Sequence, residues 1–331
     1  MMKTGRLTRT VTTVAALAWI ACMGAAHAAR MTRTFGQGRI GAANSIAVDP
    51  ITKSVYVADR SKQQVLIFDR NGRYVRKFGG LGRGPGRFLS PGDVAVDAKG
   101  QVYVTDTGSY EKKIPRRDSE YVEGPHRIER FDRRGRYLGQ RIFPPYTLVR
   151  GVSASVAGGV FAVMSYDGSA YFARFDSHLR SLPAPRVRWS SEDVKAIQNS
   201  QGYWFTALWN MKLNRLAAAQ TPSGSVLNVE IVHMSVQGKI VKHTILHVEG
   251  SIVAIAADAK GHIYIAERVQ EIYEVGPRPE RRGRNGVLIY DQSLRQIGSF
   301  STNAPTALAV DAGNTYIAGE DAVHVFHAAN R

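Results

Sequence analysis

The sequence is almost without cysteine. Cys22 is its one example and lies close to the N-terminus, so the rest of the chain has no disulfide, thiolate nucleophile or cysteine metal ligand. Acidic residues are scarce beside basic ones: 27 Asp and Glu against 44 Lys and Arg, a formal net charge of +17. Past the first thirty residues no apolar run is long enough to span a bilayer as a helix. HExxH, GxSxG and paired-cysteine motifs are missing as well, which leaves nucleophilic catalysis without a carrier.

The apolar run that does occur is N-terminal. Lys3, Arg6 and Arg9 precede Val11–Ala26, and Ala26-His27-Ala28 fits a small-x-small cleavage pattern. The expectation is a secretory signal over residues 1–28 and one soluble, monomeric, periplasmic or secreted domain over 29–331. An alternative makes Cys22 the acylated residue of a lipoprotein, although Trp19 stands where such signals place Leu. Losing the leader leaves the chain strongly basic. Export makes nucleic acid an unsuitable partner. An anionic envelope component (polysaccharide, lipid headgroup or acidic protein) suits that location, with plain solubility as the other reading of the charge.

What the chain has in abundance is glycine at turns. GGLGRGPGRF, Gly79–Phe88, invites comparison with a phosphate-binding loop. Such a loop must follow a strand and open a helix, so that the helix N-terminus faces the phosphate. Here it runs into DVAVDAKGQVYVTD, Asp93–Asp106, two short β-branched alternations around a glycine turn. That is a hairpin, and the phosphate reading fails on context.

The hairpin recurs as SIAVDPITKSVYVAD (45–59), IVAIAADAKGHIYIAE (252–267) and ALAVDAGNTYIAG (307–319). A third strand ending in Asp often follows, as at Asp69, Asp132, Asp176 and Asp291, and then a fourth after a short turn. A period of about 50 residues with four strands per unit predicts a β-propeller. Weaker units over the middle of the chain bring the number of blades to six, at approximately 44–80, 81–142, 143–186, 203–246, 247–300 and 301–331. The last is one strand short. RMTRTFGQG (30–38) resembles RYVRKFGGLG (73–82), so the segment 30–36 is expected to complete the final blade and close the ring.

Gly82–Phe88, Pro91–Asp97 and Gly100–Asp106 closely resemble the NHL repeat. The resemblance implies an all-β, six-bladed propeller of four-stranded antiparallel blades. It also implies a binding or scaffolding module more often than an enzyme, with a few lyases and hydrolases among the relatives.

Two long insertions are expected to overhang one mouth of the ring: Gly108–Arg127 in blade two and Arg268–Gly286 in blade five. A third segment, Ala184–Gly202, joins blades three and four, with a short capped helix expected near Ser190. Lys112, Lys113, Arg116, Arg117, Arg278, Arg281, Arg282 and Arg284 supply cations there, and Tyr110, Tyr121 and Tyr273 flat contacts. They make a candidate site for a polar or anionic ligand or protein partner, with no cofactor required. The alternatives are solvated loops whose acids offset the charge, or a metal-assisted lyase or lactone hydrolase. In the latter, Asp59, Asp106 and Glu267, at equivalent ends of second strands, would converge on a divalent cation such as calcium. These three also read as turn residues binding local amides. Asp49, Asp97, Asp258 and Asp311 read as structural turn residues. His243 and His247 share a spacing that a metal could use on a helix but fall in or beside an outer strand, His324 and His327 are expected on opposite faces of one strand, and His126 and His262 stand alone.

Overall fold

A computed structural model describes residues 29–112, 120–154, 158–166, 169–183, 206–210, 215–220, 227–235, 240–248 and 251–327, apart from 259, 269, 273–279, 283–284, 292 and 312. Residues 1–28, expected to form a leader, and the segment 184–202, with its expected capped helix, lie outside the described residues.

The described residues begin with β1 (Arg30–Phe35). Blade one is β2 (Ala43–Val48), β3 (Val55–Asp59), β4 (Gln64–Phe68) and β5 (Tyr74–Gly79). Blade two starts with β6 (Pro91–Val96) and β7 (Val102–Asp106), is interrupted by β8 (Ser109–Lys112) and β9 (Glu120–Glu123), and resumes with β10 (Arg127–Phe131) and β11 (Tyr137–Ile142). Blade three is β12 (Leu148–Ala154), β13 (Val160–Tyr166), β14 (Ser169–Phe175) and β15 (Ser181–Leu182). Blade four is β16 (Thr206–Asn210), β17 (Arg215–Gln220), β18 (Leu227–Ser235) and β19 (Ile240–Val248).

Blade five is β20 (Ser251–Ala257) and β21 (Ile263–Arg268), then the inserted β22 (Gln270–Ile272) and β23 (Glu280–Arg282), then β24 (Gly286–Tyr290) and β25 (Gln296–Ser301). Blade six is β26 (Ala307–Asp311), β27 (Asn314–Ala318) and β28 (Val323–His327), and β1 pairs antiparallel on its outer edge, Arg30 opposite His327 and Phe35 opposite Val323. Each of the six sheets is four-stranded and antiparallel. The innermost strands touch in cyclic order, β2 to β6, β12, β16, β20, β26 and back to β2. The ring is closed, and its last blade is completed by the first strand, as the sequence predicts.

The strand sequences follow from this stacking. A middle strand is covered by a blade on each side, so VYVAD in β3 and QVLIF in β4 are buried at every position. Such strands read as near-continuous apolar runs rather than alternations. An outer strand faces solvent, and YVRKFG in β5 is polar and largely exposed. The core is therefore divided among the blade interfaces. Phe35, Leu66, Phe68 and Tyr316 pack between blades six and one, and Tyr56, Phe88, Val104 and Phe131 between one and two.

One device sets the turns. At the junction of third and fourth strands, Asp69, Asp132, Asp176 and Asp291 each accept the amides two and four residues on, at 2.8–3.0 Å. The amide of Arg180 holds the Asp176 carboxyl below its ordinary range. Asp49, Asp97 and Asp258 cap the first-to-second turns in a related way. No helix of the described residues is long and apolar enough to cross a membrane.

Candidate functional site

Strand order puts the second-to-third turns and the links between blades on one face of the ring. Both insertions open there as two-stranded arms. In the arm of blade two, Tyr110 stands opposite Val122, Glu111 opposite Tyr121 and Lys112 opposite Glu120. In the arm of blade five, Gln270 pairs with Arg282 and Glu271 with Arg281. Blades two and five lie across a six-membered ring from each other, so the arms flank the mouth from opposite sides. Lys112, Tyr121, Arg281 and Arg282 are thus on arm strands. Lys113, Arg116, Arg117, Tyr273, Arg278 and Arg284 lie outside the described residues.

A buried ion network roots the first arm. Asp106 ends β7, Arg127 begins β10, and the two are opposite in register. Both are 1% exposed and Glu129 is 0% exposed. Arg127 Nη2 donates to Asp106 Oδ2 at 3.0 Å. Its Nη1 donates to the Arg83 carbonyl at 2.8 Å and to Gln140 Oε1 at 3.1 Å, and the Arg87 carbonyl also accepts from Nη2. The glycine loop therefore turns carbonyls toward a charge, whereas a phosphate loop turns amides. The motif that suggests an anion site holds a cation.

Glu129 completes this network imperfectly. Its Oε2 accepts the Gly86 amide at 2.9 Å. Its Oε1 lies 2.9 Å from Arg127 Nε, but that N–H is aimed at Asp106 Oδ2, 3.3 Å away, and Oε1 has no hydrogen-bond partner. Burial pushes the Glu129 carboxyl up to about 7, against the pull of Arg127 and the Gly86 amide.

Asp59 repeats the Asp106 arrangement one blade earlier. Its oxygens accept the amides of Gly41 (2.9 Å), Ala42 (3.1 Å) and Lys62 (3.2 Å) and the Ser61 hydroxyl (2.9 Å). Asp106 likewise takes the amides of Leu89 and Ser90, in the link leading into its blade, and that of Gly108. Glu267 is buried in β21, opposite Ile252 and Gly286. Each of the three belongs to a different blade, and Asp59 and Asp106 staple the entrance of their own. Among the described residues no group of three His, Cys, Asp or Glu side chains is placed to hold a metal ion.

Two features escaped the sequence reading. Arg127 and Glu129 occupy strand positions held by Gln64 and Leu66 in blade one, and the signal would have been charge where a sister repeat is neutral. The other is Asp93 on the innermost strand of blade two, at the position of Ser45 in blade one. It accepts from the Ser45 hydroxyl, from the Val152 amide at 2.9 Å and from the Val94 amide at 3.0 Å, joining three neighbouring innermost strands. Burial raises its carboxyl above the usual range.

Residues 43–114, blade one and part of blade two, match the model of a family described as a 6-bladed beta-propeller. The chain is a β-propeller. This propeller is similar to a gluconolactonase from Xanthomonas campestris, with TM-score 0.57, 13% identity, and coverage of 90% of this chain and 94% of that one. It is also similar to regucalcin, a calcium-binding protein from Agrobacterium tumefaciens, with TM-score 0.53, 11% identity, and coverage of 86% and 90%. A propeller in a nidogen/laminin complex aligns with TM-score 0.52 and 14% identity, over 80% of this chain and 81% of the other. At these identities the likeness is one of fold. No curated protein matches the chain.

Proposed function

We propose that this propeller is an exported binding module that grips a polar or anionic ligand, an envelope component or an acidic protein, between its two arms. The observation that supports the reading is the pair of hairpins rising from opposite blades on one face. Rigid scaffolds that carry long insertions on a single face commonly bind there. Lys112, Lys113, Arg116 and Arg117 fall within six consecutive residues of the first insertion. Arg278, Arg281, Arg282 and Arg284 serve the second arm. A run of cations gives local attraction although Glu111, Asp118, Glu120 and Glu123 offset its charge over the insertion as a whole.

Reversal of Arg116, Arg117, Arg281 and Arg282 to Glu tests the reading by retention on an anionic envelope fraction. Retention that falls on reversal, and falls for the unaltered protein as salt rises, supports it. Retention indifferent to both overturns it. The reading requires no cofactor. Titration of metal-stripped protein with calcium and zinc tests the alternative: saturable binding of either favours a metal-assisted lyase or lactone hydrolase.

A further inference from the structure

The face opposite the arms carries the remaining turns, and where the ring closes it holds a cleft of about 500 Å³. Its walls come from β1, from both turns of blade one and from blade six. Arg33, Lys53 and Arg70 supply three cations and Asp311 a single carboxylate, so the cleft has two positive charges in excess.

The neighbouring interface shows why those charges are available. Between blades one and two, Arg133 follows the turn residue Asp132 and donates from Nε to Asp49 Oδ2 at 2.6 Å. The Tyr56 hydroxyl covers that arginine, donating to its carbonyl at 2.9 Å. At the closing seam, Arg70 is the counterpart of Arg133, following Asp69, and Asp311 is the counterpart of Asp49. Here the carboxylate is already occupied. The first turn of blade one is a residue longer than those of blades two and five, and its Lys53, at φ 61°, reaches Asp311 Oδ1 at 2.7 Å. Lysine has displaced arginine as the counter-ion. Arg70 is exposed and makes no ion pair among the described residues. Arg33 Nε is buried without a hydrogen-bond partner.

The rest of the lining is hydroxyl and amide: Thr32, Asn71, Asn314 and Tyr316. Asn314 meets His327 Nδ1 at 3.1 Å and helps to position the Tyr316 hydroxyl. Free guanidiniums recognise the oxygens of an acid group, and amides and hydroxyls recognise sugar hydroxyls. The volume is that of an ordinary small-ligand site. We propose that this cleft binds a sugar carrying an acid group, with Arg70 and Arg33 on the acid. The site is on the other face from the arms and stands or falls independently of them.

The experiment is calorimetric titration of the full chain with glucose 6-phosphate, glucuronate, inorganic phosphate and glucose. Saturable binding of either acidic sugar is expected, with phosphate and glucose at least tenfold weaker. Which acidic sugar binds more tightly identifies the acid group. In Arg70→Ala, an exposed position whose loss leaves the melting temperature unchanged, affinity falls by about tenfold to a hundredfold. Lys53→Met frees Asp311 to capture Arg70, so affinity falls there too although Arg70 is intact. Heats indistinguishable from dilution for both acidic sugars overturn the proposal. So does affinity unchanged in Arg70→Ala, or inorganic phosphate or glucose binding as tightly as the acidic sugars.

Discussion

At the scale of single residues, the decisive group is Arg127, the largest fully buried side chain among the described residues. Replacing it with Met removes the counter-charge of Asp106 and leaves the Arg83 and Arg87 carbonyls without this donor. Breaking a buried pair in this way costs about 3–5 kcal/mol, read as a lower denaturant midpoint. Glu129 gives a pH signature. Its carboxyl titrates near 4.5 when unfolded and at about 7 when folded, so the folded state holds its proton longer. Glu129 therefore contributes most below about pH 4.5, and stability is lost as pH rises from there through about 7. Glu129→Gln keeps an acceptor for the Gly86 amide and cannot ionise. The stability difference between this variant and the unaltered protein should grow in the variant's favour from pH 4.5 to 7.5, measured by urea denaturation. At this scale the sequence was least informative. RIERFD spells an apolar strand with charges, and which charges turn inward depends on a glycine loop forty residues away.

At the scale of elements, turns and strands were legible because each repeat restates them. The aspartates that end third strands mark a turn whose amides they bind, a signal local in sequence and so readable there. The insertions were readable as positions, between second and third strands, though not as paired arms. The strand that matters most is β1. Its match to the outer strand of blade one marked it as the missing edge, and its pairing with β28 spans the length of the chain. Gly72, at φ 78°, lets the turn of blade one close over the Phe35 ring, 2.6 Å from where a Cβ would stand. Removing residues 30–36 strips that ring from the seam and exposes the β28 edge. With four or five ladder bonds lost at about 1 kcal/mol each, the melting midpoint should fall by about ten degrees, and the transition should broaden. Gly72→Ala should lower it more modestly, since the strained backbone and the displaced ring act at one point.

At the scale of the molecule, the ring gives the protein two unlike ends. One bears arms and buried staples, the other short turns and the seam cleft, and the charge reversal of the arms should leave thermal stability and glucose 6-phosphate binding unaltered. Differential scanning calorimetry beside the titration checks this independence. Fold class was legible in the sequence, since periodicity integrates over the whole chain. Site chemistry was not, because the amides that Asp59 and Asp106 accept from Gly41, Ala42, Leu89 and Ser90 lie sixteen to eighteen residues earlier and no local pattern announces their approach. Thr32 bonds to Val325, 293 positions later, so β1 must wait for β28 to be made before it finds its mate. Until the tail arrives the nascent ring stays an open arc with a bare edge at each end, and contacts this distant form slowly. The molecule is most vulnerable to sticking to its own copies in the interval before the final strand is released.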